Sequence, residues 1–386
     1  MARNYLSQRV TELKPSGIRK FFDIAATMKE VISLGIGEPD FDSPKPIIQA
    51  GIKSLNENQT HYTANKGILP LRRAINEHLQ KLYGVGYDPE EEIVATVGGS
   101  EALLLAIQAL LDPGDEVLLP TPCFVSYQGV ILLAGGVSVE VPSRMENNFV
   151  PDPKELEKAI TPRTKAILLN FPSNPTGAVA DRETMIEIGR LAEKHDLIVI
   201  SDEIYDRLVY GVEHVCFAAL PGMRERTILI GGFSKDYAMT GWRIGFVCAP
   251  REILDGIARI HQYVIMTAPT MAQFGALEGL TSCEDFVQKM LREYDRRRKL
   301  VVEGFNYIGL PTFEPRGAFY AFPKVDVTGM DDETFADRLL HEKHVAVVPG
   351  SAFGPGGEGF VRCSYATAYD QLEEALDRIH QFVKSV

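Results

Sequence analysis

Short, mostly apolar runs alternate with helix-forming stretches through the middle of the chain. The apolar runs cover residues 92–97, 116–119, 165–170, 197–201, 227–230 and 243–248. Residues 100–111 and 184–195, which lie between such runs, have the composition of helices. Strands that are apolar throughout belong to sheets covered on both faces. The pattern therefore predicts an α/β domain with three layers around a mostly parallel sheet.

The C-terminal part of the chain has a different pattern. Apolar runs at 318–322, 345–348 and 360–364 are mixed with amphipathic stretches at 282–307 and 369–383. This mixture predicts a smaller α+β domain, with which a helix near residues 18–29 should pack. Because a single core rarely grows past roughly 250–300 residues, we expect two domains in a chain of 386 residues. The large domain is expected at 46–284 and the small domain at 1–45 and 285–386.

The composition is that of a globular protein, with 45% hydrophobic and 24% charged residues. A formal net charge of −12 disfavours nucleic acid and anionic membranes as partners. The five cysteines are scattered and form no C-x-x-C pair, which indicates reduced thiols and a cytoplasmic location. The N-terminus has no apolar signal-peptide region, and no run approaches the ~18 apolar residues that span a membrane.

Polar residues follow several of the predicted strands, namely Gly98-Gly99-Ser100, Asn174, Asp202 and Lys235. Ligands of open α/β sheets bind at the carboxyl ends of the strands, so we expect these residues to share one site. Gly99 and Ser100 open a predicted helix, whose N–H groups and dipole favour a phosphate group. A plain turn with Ser100 as the N-cap is the alternative interpretation.

Asp202 and Lys235 occupy unusual positions for charged residues. Asp202 ends a strongly apolar run, so its carboxylate needs a cationic partner such as a protonated pyridine nitrogen; capping a following helix is the alternative. Tyr205 lies one helical turn further on and can share that face. Lys235 follows a loop of small residues, where partial burial would lower its pKa and make the amine a nucleophile. Taken alone, an exposed loop lysine is the commoner case.

Two other patterns are not interpreted as sites. Gly354, Gly356 and Gly359 spell G-x-G-x-x-G, but Pro355 and a following predicted strand contradict a dinucleotide site. His341 and His344 have the spacing H-E-x-H rather than the i,i+4 spacing of a zinc-binding helix. No metal is expected.

The stretch from Gly232 to Gly245 resembles the lysine signature of the class I/II aminotransferases, which bind pyridoxal 5′-phosphate (PLP). Further segments resemble the motifs of that family in the same order: 35–40 (GIGEPD), 61–63 (HYT) with Gly67, 173–177 (SNPTG), 202–205 (DEIY) and 360–364 (FVRCS). The resemblance covers the chain essentially end to end, and it is greatest to the archaeal and bacterial branch of aromatic and aspartate aminotransferases.

The resemblance implies a PLP-dependent transferase of fold type I. In that family's pattern, Lys235 binds the cofactor covalently and later moves a proton, and Asp202 keeps the pyridine nitrogen protonated. Phe124 stacks on the ring, while Tyr205 and Asn174 hydrogen-bond its phenolic oxygen. The remaining implied ligands are Gly99, Ser100 and Arg243 for the phosphate, Tyr62 from the other subunit of a homodimer, and Arg362 with Gly37 and Asn174 for the substrate.

Two positions depart from the family pattern. Gly232 stands where the family often has serine, so one phosphate-binding hydroxyl is missing, and Ser234 is a candidate to replace it. Ser100 stands where one bacterial aspartate-preferring subgroup has lysine, which removes one way to bind a second carboxylate.

We therefore expect a ping-pong aminotransferase for aromatic or a broad range of L-amino acids, with 2-oxoglutarate as acceptor. Aspartate or alanine aminotransferase and a PLP-dependent C–S β-lyase are the alternatives. A PLP-fold regulatory protein is disfavoured, because such regulators carry an additional DNA-binding domain and this chain is acidic.

Overall fold

The computed structural model describes residues 5–13, 28 and 30–386. Its helices are α1 (Gln8–Glu12), α2 (Lys45–Asn56), α3 (Leu69–Tyr83), α4 (Gly98–Leu110), α5 (Ser126–Ala134), α6 (Pro153–Ala159), α7 (Arg182–Lys194), α8 (Arg251–Val264), α9 (Thr270–Ser282), α10 (Glu284–Ile308), α11 (Asp332–Lys343) and α12 (Tyr369–Val383). Its strands are β1 (Ile32–Ser33), β2 (Ile93–Thr96), β3 (Glu116–Thr121), β4 (Val137–Pro142), β5 (Thr164–Asn170), β6 (Ile198–Asp202), β7 (Thr227–Gly232), β8 (Gly245–Cys248), β9 (Tyr320–Ala321), β10 (Val345–Ala346), β11 (Val348–Pro349) and β12 (Val361–Ser364).

A seven-stranded sheet in the order β2-β8-β7-β6-β5-β3-β4 forms the centre of the described structure. All of its strands run parallel except β8, which is antiparallel to both neighbours, β2 and β7. The apolar run predicted as a strand at 243–248 starts two residues later than expected. Arg243 cannot extend this strand, because its φ of 53° lies in the left-handed region.

Successive side chains of the central strands enter cores on opposite faces of the sheet, as a period of two requires. In β5, Ala166 and Leu168 pack with α4 and α8, whereas Ile167 and Leu169 pack with α6 and α7. A further core joins α3 and α9 to strands β2, β7 and β8. The predicted three-layer α/β fold with a mostly parallel sheet is therefore confirmed.

The C-terminal part contains short strands, as predicted, but their pairing is more complex. Strand β12 lies between β11 and β9 in an antiparallel sheet. The single strand predicted at 345–348 is in fact two strands, because β10 pairs in parallel with β1 while β11 pairs with β12. The predicted helix at 18–29 lies almost wholly outside the described residues, and the domain boundaries stay a prediction.

The parallel strands end at one edge of the sheet, and polar residues lie there. Asn170 ends β5, Asp202 ends β6, and Lys235 follows β7 by three residues. The sequence predicts the ligand site at this edge of the sheet. Among the described residues, no helix combines the length and apolar character needed to cross a bilayer.

Candidate active site

A cavity of about 380 Å³ lies at this edge of the sheet. It brings together eleven of the residues singled out from the sequence: Gly37, Gly99, Ser100, Phe124, Asn174, Asp202, Tyr205, Ser234, Lys235, Arg243 and Arg362. Tyr62 does not line the cavity of its own chain, and its side chain is 79% exposed.

Lys235 projects from the loop after β7 into this cavity. Its Nζ donates a hydrogen bond to the carbonyl oxygen of Gly37 at 2.6 Å and lies 5.7 Å from the centre of the Tyr205 ring. Burial lowers the pKa of the Lys235 amine to about 8, and the nearby positive charge of Arg362 acts in the same direction. The exposed loop lysine of the alternative interpretation is therefore excluded, and the amine is partly neutral near pH 7.

Asp202 ends β6 with its carboxylate buried in the same cavity. Its Oδ1 accepts a hydrogen bond from the backbone N–H of Ile204, in a turn rather than at a helix start, so the helix-cap alternative is wrong. Burial raises the pKa of Asp202 to about 6. Among the described residues, no cationic group donates a hydrogen bond to this carboxylate. A protonated ring nitrogen would supply the cationic partner that the buried carboxylate needs.

A cradle for an anion forms where β2 leads into α4. Helix α4 begins at Gly98 after Val97 as the N-cap, so the interpretation of Ser100 as the N-cap is wrong. Gly98 has φ +72°, and a Cβ there would lie 2.7 Å from Nη2 of Arg243. Gly245 packs just as tightly against this turn, because a Cβ at that position would lie 2.8 Å from the N atom of Gly99. The Arg243 guanidinium and the helix N-terminus thus converge where a phosphate can bind.

Arg362, in β12, is buried, and only some of the hydrogen-bond donors of its guanidinium have partners. Its Nη1 donates to Oδ1 of Asn174 at 2.8 Å and its Nη2 to the carbonyl oxygen of Gly35 at 2.5 Å. Its Nε has no hydrogen-bond partner among the described residues. The guanidinium lies over the ring of Tyr320 at 4.6 Å. A buried guanidinium without a carboxylate partner is ready to bind one.

Sequence reasoning missed several residues that line the cavity. The Tyr205 hydroxyl is hydrogen-bonded to the Tyr320 hydroxyl at 2.8 Å. Tyr127 packs edge-on against Phe124, with ring centres 5.6 Å apart. Asn170 accepts a hydrogen bond from the Asn174 backbone N–H, and the strand-end rule that identified Asp202 could have found it. The other lining residues that were not assigned are Glu38, Leu103, Ile204 and Thr240.

These groups fit PLP together with an amino acid. The cradle fits a phosphate, and the buried Asp202 carboxylate fits a protonated ring nitrogen. The amine of Lys235 fits the aldehyde carbon of the cofactor. The guanidinium of Arg362, which lines the cavity, fits a substrate carboxylate. The donor set of the cavity thus fits the cofactor expected from the sequence.

Comparisons with known proteins identify the family. The family model "Aminotransferase class I and II" matches residues 29–379. An aspartate aminotransferase of Pyrococcus abyssi is 49% identical over 98% of both chains, and aromatic-amino-acid aminotransferase 2 of Thermococcus litoralis is 46% identical over 98% of both. The solved structure of an aromatic aminotransferase from Pyrococcus horikoshii is 46% identical, covers 95% of this chain and 99% of its own, and has a TM-score of 0.91. The chain belongs to the class I and II aminotransferases and is a PLP-dependent transaminase of fold type I.

Proposed function

We propose that the cavity around Lys235 is the active site of this aminotransferase, and that the residues lining it have the roles expected from the sequence. The observation that supports this proposal most directly is the meeting of three complementary groups in one cavity. An amine of lowered pKa, a buried carboxylate and a buried guanidinium, those of Lys235, Asp202 and Arg362, all line it. The enzyme transfers an amino group between an amino acid and a 2-oxo acid in a ping-pong cycle.

Residues at the sheet edge hold the cofactor in this proposal. PLP, when bound, supplies a carbonyl carbon for the amino group and a ring that withdraws electrons from the substrate Cα. Asp202 pairs with the ring nitrogen, Phe124 covers the ring, and Tyr205 and Asn174 donate to its phenolic oxygen. The phosphate is held by Gly99, Ser100 and Arg243.

The substrate is oriented by Arg362, whose guanidinium lines the cavity and has no acidic partner among the described residues, so it can bind an α-carboxylate. Asn174 fixes the guanidinium plane, and the backbone of Gly37 completes the site. This grip holds the Cα beside Lys235, whose amine takes the Cα proton and later returns it. With a pKa of about 8, about one-tenth of free amines would be neutral at pH 7.

We propose that the donor is an aromatic amino acid or one of a broad range, with 2-oxoglutarate as the acceptor. Each cation in the described lining already has a role: Arg362 for the α-carboxylate, Arg243 for the phosphate and Lys235 for the chemistry. Ser100 adds no charge, and Glu38 at the mouth is acidic. A second carboxylate on the donor has no dedicated cation among these residues, which disfavours strict aspartate specificity.

The roles and the donor are tested in one experiment. The purified enzyme is mixed with phenylalanine, tyrosine, tryptophan, aspartate or alanine, and 2-oxoglutarate consumption and cofactor absorbance are followed. Lys235→Ala should abolish turnover, whereas Lys53→Ala, at a side chain that is 74% exposed, should not change it. Full turnover by Lys235→Ala would refute the proposed site. A kcat/KM for aspartate far above those for the aromatic donors would refute the proposed donor.

We also propose that the enzyme is a homodimer in which Tyr62 reaches the phosphate of the neighbouring subunit. Tyr62 belongs to an exposed apolar patch with Tyr263, Val264, Ile265 and Met266, which are 43–85% exposed. Hydrogen bonds from Asn65 to Met266 and between Thr63 and Thr267 hold the two segments of this patch together. A second copy covering the patch would bury these side chains and supply the missing phosphate ligand.

Sedimentation tests the dimer. Tyr263→Asp should give monomers that retain PLP poorly, whereas Tyr307→Asp, at an equally exposed tyrosine outside the patch, should leave a dimer. A fully active monomer would contradict the shared site. A cytoplasmic location remains part of the proposal, and it is supported by five cysteines that are all buried and unpaired.

A further inference from the structure

Asp202 is fixed by three neighbours, two of which bond its carboxylate. Its Oδ2 accepts a hydrogen bond from the Tyr127 hydroxyl at 2.7 Å, and its Oδ1 accepts one from the Ile204 N–H at 3.2 Å. The side-chain amide of Asn170 donates to its backbone carbonyl at 3.0 Å. Tyr127 is thus the side chain that bonds the carboxylate itself, and nothing in the sequence motifs pointed to it.

The Tyr127 side chain is held rigidly. It lies in the first turn of α5, is 1% exposed, and packs in the core between α4, α5 and the sheet. Its ring meets Phe124 edge-on at an interplanar angle of 86°. A phenol locked in this way cannot swing its hydroxyl to another acceptor, so its hydrogen bond also fixes the position of the Asp202 carboxylate.

The hydrogen bond also affects the charge of Asp202. Burial raises the pKa of the carboxyl, and the hydroxyl of Tyr127 opposes that rise because a donor stabilises the ionised form. In return, burial and the negative charge of Asp202 raise the pKa of the Tyr127 phenol, so this group stays a proton donor. A charged carboxylate is the form that binds a protonated ring nitrogen.

We propose that Tyr127 is a positioning residue of this aminotransferase, whose hydroxyl keeps the Asp202 carboxylate ionised and directed at the cofactor ring nitrogen. The inference rests on the proposed role of Asp202. Phe124 and Tyr127 then form one unit at the start of α5: the first side chain covers the ring face, and the second secures the partner of the ring nitrogen.

The test compares two cofactors. The enzyme is freed of cofactor and titrated with PLP or with an analogue in which a C–H group replaces the ring nitrogen. Binding is measured by quenching of Trp242, the single tryptophan of the chain, which adjoins Arg243. Tyr127→Phe keeps the ring and removes the hydroxyl. It should weaken PLP binding about tenfold, as loss of a charge-assisted hydrogen bond does, yet bind the analogue within about twofold of the wild type.

Two further variants distinguish a failure of the Tyr127 inference from a failure of the proposed role of Asp202. Tyr87→Phe is the matched control, because Tyr87 is buried and its hydroxyl has no partner among the described residues; it should bind both cofactors like the wild type. Asp202→Asn should weaken PLP binding and not analogue binding. Equal weakening of both cofactors in Tyr127→Phe would show a packing role and overturn the inference. Unchanged PLP binding in Tyr127→Phe, with weaker binding in Asp202→Asn, would overturn it too. Unchanged PLP binding in Asp202→Asn would overturn the proposed role of Asp202 itself.

Discussion

Replacement of Arg362 by methionine should remove activity while leaving the stability of the protein nearly unchanged. The guanidinium is 3% exposed and has no acidic partner among the described residues, so its charge is retained at a cost in solvation. A methionine fills a similar volume without a charge. The variant therefore separates what Arg362 contributes to substrate binding from what it contributes to folding.

The expected stability change follows from opposing contributions. Taking a guanidinium out of water costs several kcal/mol. Two hydrogen bonds from a charged donor return about 1.5–3 kcal/mol each, and the rings of Tyr320 and Phe353, at 4.6 and 5.0 Å, add about 2 kcal/mol. These contributions nearly cancel, so Arg362→Met should change the free energy of unfolding by less than about 2 kcal/mol. Loss of two charge-assisted bonds to the substrate carboxylate should lower kcat/KM about 10²- to 10⁴-fold.

Arg298→Met provides the matched control, because Arg298 is also buried but has acidic partners. It bonds Asp295 and Glu314 at 2.9 Å and does not line the cavity. Since these carboxylates remain partly exposed to water, Arg298→Met should lose about 1–3 kcal/mol of stability and keep its kcat/KM. The stabilities are measured by urea unfolding of the cofactor-free proteins, all at the same protein concentration. A loss above about 3 kcal/mol for Arg362→Met, with substrate affinity intact, would refute the reasoning.

Three other predictions follow from the same site. Without cofactor, Lys235→Met should raise the free energy of unfolding by about 3 kcal/mol below pH 8, because burial lowers the pKa of the amine to about 8 from 10.5. The gain should fade as pH rises to 10.5, where the unfolded chain also loses the proton; a gain independent of pH in urea unfolding would contradict this. Gly98→Ala and Gly84→Ala should each lose about 1–2 kcal/mol, since both have positive φ. Only Gly98→Ala should also weaken PLP binding in equilibrium dialysis, about tenfold, because its Cβ would meet Arg243 while nothing lies within 4 Å at Gly84. Ser100→Lys should raise kcat/KM for aspartate relative to phenylalanine about tenfold, and an unchanged ratio in steady-state assays would argue against a second-carboxylate position at Ser100.

Six of the seven strands of the central sheet could be predicted, because they are mostly apolar and of ordinary length. The edge strand β4 was missed, and the reason is visible in Val137–Pro142: its valines alternate with polar residues, and only Val141 is buried. A strand with one solvated face follows a period of two rather than a continuous apolar run. The division of residues 345–348 into two strands could not be predicted, since it depends on distant partners, Ile32–Ser33 and Val361–Ser364.

The residues of the site likewise include some that the sequence predicts and others that it does not. Asp202 and Lys235 were predictable, because strand ends and small-residue loops place charged side chains at one edge. Tyr127 and Tyr320 were not, because an aromatic residue in an apolar stretch is usually part of the core. Only the structure shows that their hydroxyls bond Asp202 and Tyr205 inside the cavity. The roles of such residues depend on contacts between elements far apart in the chain.

The glycine at position 232 illustrates how such contacts explain a departure from a motif. By the family pattern, Gly232 lacks a hydroxyl for the phosphate. In the structure, a Cβ at this position would lie 2.6 Å from Cδ1 of Ile204, and 3.4 Å from Cα of Gly245. Ile204 lines the cavity and already fills the space that a side chain at 232 would need. A serine at position 232 would therefore need the terminal methyl group of Ile204, the residue after Asp202 and Glu203, to shift. Because Ser234 is buried and faces the same cavity, its hydroxyl is the one this loop can offer to the phosphate without that rearrangement.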